Sequence, residues 1–352
     1  MSAILASNLG LEDFLDAAGR KDDKLAAVGA VVSSIASAAL ELAHIISRGP
    51  LGEGVEVGVG TVNTDGDMQK KIDVLAHDKF VERLRTAPVA AILSEELREP
   101  LTLDTTAPLV VAIDPLDGSS NIDTATSIGT IFSILPALPE ANDPEEHFLR
   151  PGHTQIAAGF VIYGPQTSLV LTLGCGTHIF TFDREAGGFR SAKSNISIPK
   201  NSREYAINAS NYRHWIEPVR AYVDDCVTGI DGPLAQNHNM RWIASLVAEA
   251  YRILARGGVF LYPADYRPDY SCGRLRLLYE ANPISFLIEQ AGGSATDSVL
   301  RILDRYPTGL HVRTPFVFGS SDPVQRIISY HIDPQFSSER SPLFGRRGLM
   351  RL

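Results

Sequence analysis

Ile113-Asp114-Pro115-Leu116-Asp117-Gly118-Ser119-Ser120-Asn121-Ile122-Asp123, entered directly from the apolar run Leu109 to Ile113, is the stretch on which the reading of this chain turns. A β-branched strand that stops at two carboxylates and then turns through glycine and two serines combines a cation-holding edge with a phosphate-binding turn. Hard divalent cations take oxygen ligands, and Mg2+ is held by a few carboxylates, substrate phosphate oxygens and water. Asp114 and Asp117 supply such oxygens. Pro115 keeps Asp114 out of helical geometry, and the Leu116 carbonyl can serve as a neutral ligand. Gly118 lets the backbone approach a ligand closely. The N–H groups of Ser119, Ser120 and Asn121, at a helix start, would accept a phosphate. The plainer reading is an Asp-Pro turn with a side-chain cap. The two separate only on what the rest of the chain carries.

Three further runs favour the chemical reading. Ala90 to Leu93 reads as a short buried strand running into Ser94-Glu95-Glu96, the same pattern of apolar strand ending in acids. Adjacent glutamates on an extended backbone face opposite ways, so one can hold metal while its neighbour polarises a water. Upstream, the turn-rich Asn63-Thr64-Asp65-Gly66-Asp67 leads into the helical pattern Ile72, Leu75, Ala76, Phe80. Asp67 and Asp73 do not align on one helix face, so they are expected from loop and helix separately. Downstream, Gly273-Arg274-Leu275-Arg276-Leu277-Leu278-Tyr279-Glu280-Ala281-Asn282-Pro283 alternates basic and apolar residues, then delivers an acid before a helix that Pro283 starts. Two arginines two apart on a strand share a face, which suits phosphate.

Composition sets the bounds. With 352 residues, 44% of them hydrophobic and 21% charged, the chain is long enough for two globular domains sharing a cleft. Its net charge of −9 argues against nucleic acid and would repel an anionic phosphate ester unless local cations overcome it. Cys175, Cys226 and Cys272 form no CxxC pair, so a reduced interior is expected and thiolate metal sites are not. Cys175 ends the alternating run Leu169 to Gly174 and is expected to be packed core. Ala26 to Ile46 is the most apolar long stretch, but Ser33, Ser34, Ser37, Glu41 and His44 interrupt it. It reads as an amphipathic or buried helix rather than a membrane span or signal peptide, and a cytoplasmic protein is expected.

Along the chain, a helical N-terminus to about Ser47 is followed by a Gly-rich connection, Gly49 to Gly60. Strands are expected over Leu109 to Ile113, Gly129 to Leu135, Gln155 to Tyr163, Ser168 to Leu173 and His178 to Phe182. Pro136 to Gly152 reads as a surface loop. A boundary near Ile196 to Ser202 precedes helices around Glu217 to Val227, Ile243 to Arg256 and Pro283 to Gly292. The expected division is an N-terminal α/β domain over 1–198, a C-terminal α/β domain over 199–333, and a basic tail over 334–352. That tail carries Arg340, Arg346, Arg347 and Arg351, and is either disordered or docked on the acidic body.

The four runs, in this order, resemble class I fructose-1,6-bisphosphatase, within the lithium-sensitive, magnesium-dependent phosphatase superfamily. DPLDGSSNID is close to one signature of that enzyme and GRLRLLYEANP resembles the second; the likeness spans most of Ala26 to Tyr330, including Gly257 to Ala264 and Glu289 to Gly293. The resemblance implies an α/β sugar phosphatase fold, layered helices and mixed sheets in two domains, with hydrolysis of the 1-phosphate of fructose 1,6-bisphosphate in the cleft. It implies Glu95, Asp114, Asp117, Glu280 and the Leu116 carbonyl as ligands of two or three Mg2+ ions, with Mn2+ as a substitute, and Asp67 near a further metal. Asp73 and Glu96 match the pair that positions and deprotonates the attacking water. Two cations about 3.5 to 4 Å apart would stabilise entering and leaving oxygens. Arg276 matches a residue beside the scissile phosphate, and Asp117, Gly118, Ser119 and Ser120 the turn that contacts substrate.

For the 6-phosphate the matching residues are Asn208, Arg241 and Tyr262. The arginine comes from a neighbouring subunit in the family, which implies a homotetramer. Three positions depart: Trp242 stands for the usual tyrosine, Arg274 for the usual lysine near the sugar, and near Asn208 the expected tyrosine is displaced, with Asn211 and Tyr212 competing for the place. A seven-carbon bisphosphate is therefore an alternative substrate. The stretches that hold AMP in inhibited members read here as Asp23 to Val28, Pro108-Leu109 and Leu135-Pro136, with Lys24 the one cation, so AMP inhibition is expected to be weak. The cysteine-bearing insertion of chloroplast forms is missing, so thioredoxin control is not expected. Two rival classes are an inositol-type phosphatase of the same superfamily, against which GRLRLLYE speaks, and a non-catalytic metal-stabilised regulator. Gluconeogenesis and the Calvin cycle both accommodate the expected reaction.

Overall fold

The computed structural model describes residues 9–51, 60–62 and 68–333. Asp67, the basic tail and residues 52–59 of the Gly-rich connection lie outside the described residues. Elements in chain order are α1 (Leu11–Gly19), α2 (Asp23–Ser47), β1 (Gly60–Val62), β2 (Met68–Lys70), α3 (Lys71–Leu84), β3 (Val89–Ser94), β4 (Leu101–Thr102), β5 (Leu109–Asp117), β6 (Ile128–Pro136), β7 (Ala157–Tyr163), β8 (Thr167–Thr172), β9 (His178–Asp183) and β10 (Gly188–Lys193). There follow β11 (Glu204–Ala206), α4 (Glu217–Thr228), β12 (Asn239–Met240), α5 (Leu246–Arg256), β13 (Val259–Tyr262), β14 (Leu275–Arg276), α6 (Asn282–Gln290), β15 (Ser294–Thr296), β16 (Arg313–Thr314), β17 (Phe316–Gly319) and α7 (Ser321–Ile332).

Two mixed sheets are layered with three sets of helices, the sugar phosphatase arrangement. The larger sheet runs β10-β9-β8-β7-β6-β5-β3-β4, with β3 and β5 parallel and its other neighbours antiparallel. The smaller runs β12-β11-β13-β17-β15 and is also mixed. The central strands β3 and β5 to β8 are buried on both faces, so they read as near-continuous apolar runs. Alternation still sorts the faces: Phe132, Val161 and Phe180 pack with α1, α2 and α3, while Ile131, Phe160 and Ile179 pack with α5 and α6. The small sheet repeats the pattern, giving Phe260 and Phe318 to α5 and α6, and Val259, Leu261 and Val317 to α4 and α7.

Asp22 caps α2 by accepting from the Lys24 N–H, and Val28, Val32, Ile35, Ala39 and Leu42 recur at helical spacing and are buried. By length and composition α2 could cross a bilayer, but half of its apolar span is buried inside the fold. Helix α5 starts at Leu246, three residues later than expected, because Ala244 adopts a left-handed φ of 62° and Ser245 then caps the helix. One expectation is overturned. Cys175 is exposed, not core, because the β8 alternation stops at Thr172 and the chain turns out through Gly174 and Gly176, both at positive φ.

Candidate active site

Strand β5 does not end at the first aspartate. It continues to Asp117 by way of a register break against β6 between Asp114 and Asp117. The extra residues in this bulge bring both carboxylates to one end of the sheet, and the Asp114 carboxylate accepts from the Leu116 N–H at 3.0 Å. Thr130 of β6 donates to the Pro115 carbonyl at 2.9 Å and its hydroxyl lies 2.8 Å from that of Tyr163, which fixes the bulge from beneath. Gly118 follows in the left-handed region at φ 75° and opens a short 3-10 turn, Ser119–Thr124. Asn121 ties that turn across the cleft by donating to the Ala244 carbonyl at 2.7 Å.

Glu280 arrives from the other half of the chain. Carboxylate oxygens of Asp114, Asp117 and Glu280 all lie within 4.8 Å of one another, and all three residues are buried. Burial pushes Asp114 well above the ordinary carboxylate range, with Glu95, Asp117, Glu280 and Glu96 adding to it. Burial likewise raises Glu280, with Glu95 and Asp117 contributing, and raises Asp117 to about 7. Three buried acids aimed at one point repel each other until a cation or protons neutralise them. An all-oxygen donor set of this kind fits a hard divalent cation.

Glu95, Glu96 and Arg276 lie close to the cluster. Glu95 continues the β3–β5 pairing through its N–H to the Ile113 carbonyl, 3.1 Å. Arg276, 5% exposed, donates its N–H to Glu280 at 2.5 Å, holds its guanidinium 3.6 Å from Glu95, and donates to the His311 carbonyl at 3.0 Å. Asp73 is buried in the first turn of α3. One turn further on, His77 Nδ1 lies 2.9 Å from the Ser94 hydroxyl, which also accepts from the Glu96 N–H at 3.3 Å. Burial holds the His77 ring below its ordinary pKa. These bonds tie α3 to the Glu95-Glu96 strand end.

At the far side of the cleft, Asn208, Asn211, Tyr262 and Tyr270 line a small cavity. The Asn208 side-chain oxygen accepts from Ser210, leaving its amide hydrogens to be presented. Trp242 stacks on Phe260 at 5.8 Å and lies 6.1 Å from Tyr262, keeping an aromatic wall. Arg241 does not line this cavity; its guanidinium is half exposed and 3.5 Å from Glu204. The pairing of Arg274 and Arg276 on one strand is also overturned. Only Leu275–Arg276 is strand, residues 277–281 coil into a π turn, and Arg274 leads to Tyr270 while Arg276 turns to the acids. A cleft of about 870 Å3 between His44, Arg48, Asp123, Tyr163 and Arg184 contains none of the expected site residues.

Models of the fructose-1,6-bisphosphatase N-terminal and C-terminal domains match residues 14–194 and 198–332. The chain belongs to the fructose-1,6-bisphosphatase family. It is 56% identical to fructose-1,6-bisphosphatase class 1 of Rhizobium meliloti (strain 1021) over 98% of this chain and 99% of that one. It is 52% identical to the class 1 enzyme of Rhodopseudomonas palustris (strain HaA2) over 97% and 98% of the two chains. Among solved structures, Leishmania major fructose-1,6-bisphosphatase in holo form superposes with a TM-score of 0.84 at 31% identity, covering 92% of this chain and 99% of that one.

Within this family frame, several residues around the site had escaped sequence reading. Val247 at the α5 N-terminus donates to Asp117 at 3.3 Å, and it can do so because Gly129 faces Asp117 in the β5–β6 register. A Cβ on Gly129 would lie 2.7 Å from the Val247 methyls and 2.4 Å from the Val161 carbonyl. Neither contact leaves a local sequence signal. Ser94, adjoining Glu95-Glu96, was within reach of such a reading.

Proposed function

We propose that this chain hydrolyses the 1-phosphate of fructose 1,6-bisphosphate to fructose 6-phosphate and inorganic phosphate, with Mg2+ as activating cation and Mn2+ as substitute. The convergence of Asp114, Asp117 and Glu280 beside buried Arg276 carries the reading. Glu95, Asp114, Asp117, Glu280 and the Leu116 carbonyl would hold two or three cations, with Asp67 near a further one. When bound, the cations neutralise the phosphate and favour ionisation of a water. Asp73 and Glu96 orient that water and take its proton as its oxygen forms a bond to phosphorus. The bond between phosphorus and the sugar O1 breaks in line, and O1 leaves and is protonated from solvent. Arg276 stabilises charge on the phosphoryl oxygens, and the backbone of Gly118, Ser119 and Ser120 positions them.

Asn208 and Tyr262, with Arg241 from a neighbouring subunit, receive the distal phosphate, and Arg274 lies near the sugar. Arg241 lies outside its own chain's cavity and is solvent-facing, which supports a homotetramer in which it completes a neighbour's site. The domain division at about residue 198, cytoplasmic residence and weak AMP inhibition belong to the same reading. Three free cysteines suit a reducing compartment. With Arg274 and Trp242 in place of the usual side chains, a seven-carbon bisphosphate is the second substrate to compare.

Phosphate release from fructose 1,6-bisphosphate and from inositol monophosphate, each with Mg2+ and with chelator, tests the assignment. Mg2+-dependent release from the bisphosphate alone is expected, with Asp114→Asn slower by at least about a thousandfold. Undiminished turnover by Asp114→Asn, or in chelator, overturns it.

A further inference from the structure

Arg274 is exposed and reaches Tyr270, a wall residue of the Asn208 and Tyr262 cavity, and among the described residues no carboxylate pairs with it. Its guanidinium donates to the Tyr270 hydroxyl at 2.6 Å and lies 4.9 Å from the centre of the same ring. Arg267 packs on that ring too, at 3.7 Å, and grips Asp265 through both its Nε and Nη2. Asp265 is itself buried and, with Tyr270, forms part of the cavity wall. The short 3-10 turn Pro268–Tyr270 carries the ring; the Tyr270 carbonyl accepts from the Asp265 N–H, and the Tyr270 N–H donates back to the Arg267 carbonyl. Burial raises the Tyr262 hydroxyl above its ordinary pKa, and Arg274, Tyr270, Glu280 and Arg267 are all near enough to act on it.

We propose that Tyr270 is a positioning and specificity-determining residue: its hydroxyl and ring hold the unneutralised Arg274 guanidinium toward the distal phosphate of a sugar bisphosphate, with Arg267 and Asp265 bracing the ring. The inference rests on the assignment of Arg274 to substrate binding. A guanidinium uses such a seat better than an ammonium, because its planar face can stack on an aromatic ring while its edge N–H groups donate. A flexible arginine would lose side-chain entropy on gripping phosphate; one already held by hydroxyl and ring loses less. Tyr270 thereby favours substrates with two phosphates over those with one. Selectivity for length follows as well, since the held guanidinium defines how far from the acids the second phosphate can lie.

The test compares fructose 1,6-bisphosphate with fructose 1-phosphate, which lacks the distal phosphate, on wild type, Tyr270→Phe, Arg274→Lys, the double variant and Arg274→Ala. Tyr270→Phe is expected to raise KM for the bisphosphate roughly three- to tenfold, with kcat and the Mg2+ requirement unchanged and fructose 1-phosphate unaffected. In the Arg274→Lys background the same change should have no further effect on the bisphosphate. Equal losses on both substrates mark a merely structural tyrosine and overturn the proposal, as does an undiminished effect of Tyr270→Phe in the lysine background. Tyr270→Phe indistinguishable from wild type on the bisphosphate overturns it too. Arg274→Ala without effect on KM overturns instead the assignment of Arg274 on which the inference stands.

Discussion

Replacing Asp117 by asparagine removes one of three mutually repelling buried acids while keeping an acceptor for the Val247 N–H. Burial raises this carboxyl from an ordinary value of about 3.9 to about 7. A raised folded-state pKa means that the folded chain binds more protons than the unfolded chain between those values. Its contribution is therefore fully present below the unfolded pKa and is lost as pH rises through about 7. In chelator, ionising Asp117 thus costs the folded protein about 3 kcal/mol between about pH 4.5 and about pH 8. The asparagine amide, which does not ionise, carries no such cost. Urea unfolding of both proteins in chelator, at several values across that range, reads the difference directly. The stability of Asp117→Asn minus that of wild type should rise by about 3 kcal/mol toward high pH. Adding Mg2+ near pH 8 to a hundredfold above its dissociation constant should restore about 2.7 kcal/mol to wild type, and much less to the variant. A difference that stays flat with pH would falsify the account of the cluster as uncompensated buried charge.

Gly129→Ala forces a methyl against the Val161 carbonyl and the Val247 side chain, so α5 must back away from Asp117. A loss of about 1 to 3 kcal/mol in denaturant unfolding and a higher Mg2+ requirement are expected, and an unchanged protein would mean that α5 does not help seat the carboxylate. Ser94→Ala removes the hydroxyl shared by His77 and the Glu96 N–H, and kcat should fall roughly ten- to hundredfold with KM for substrate little changed. A KM effect alone would place the role of Ser94 in binding. Cys175 and Cys272 are exposed and should react with a thiol reagent in the native protein, whereas Cys226 is buried, with its thiol pushed up to about 12, and should react only in denaturant. Three thiols titrating natively would contradict the packing of α4.

Much of the site was legible locally because buried acids leave a compositional trace. Asp114, Asp117, Glu95 and Glu280 each end an apolar strand or open a helix, and such acids have no reason to adjoin a buried run unless something compensates them. The strand β7 followed from a continuous apolar run, which is buried on both faces, and α2 from apolar residues at helical spacing, which form its covered face. Cys175 escaped because two glycines reverse the chain just after the alternation stops, and alternation carries no information about turns. Arg274 and Arg276 looked like one face of a strand, but the π turn at 277–281 ends the strand early.

Sequence alone determined which residue types are available for cation, water and phosphate, because those requirements are met by functional groups in fixed order along short segments. Only the tertiary structure decided that Glu280 comes within 4.8 Å of Asp114 and Asp117, that Val247 reaches Asp117 over a bare Gly129, and that Tyr270 rather than an acid holds Arg274. Those contacts join residues more than a hundred positions apart or depend on how one loop folds back. Their energies come from burial and charge shared between elements, which no segment possesses until the sheets and helices have packed.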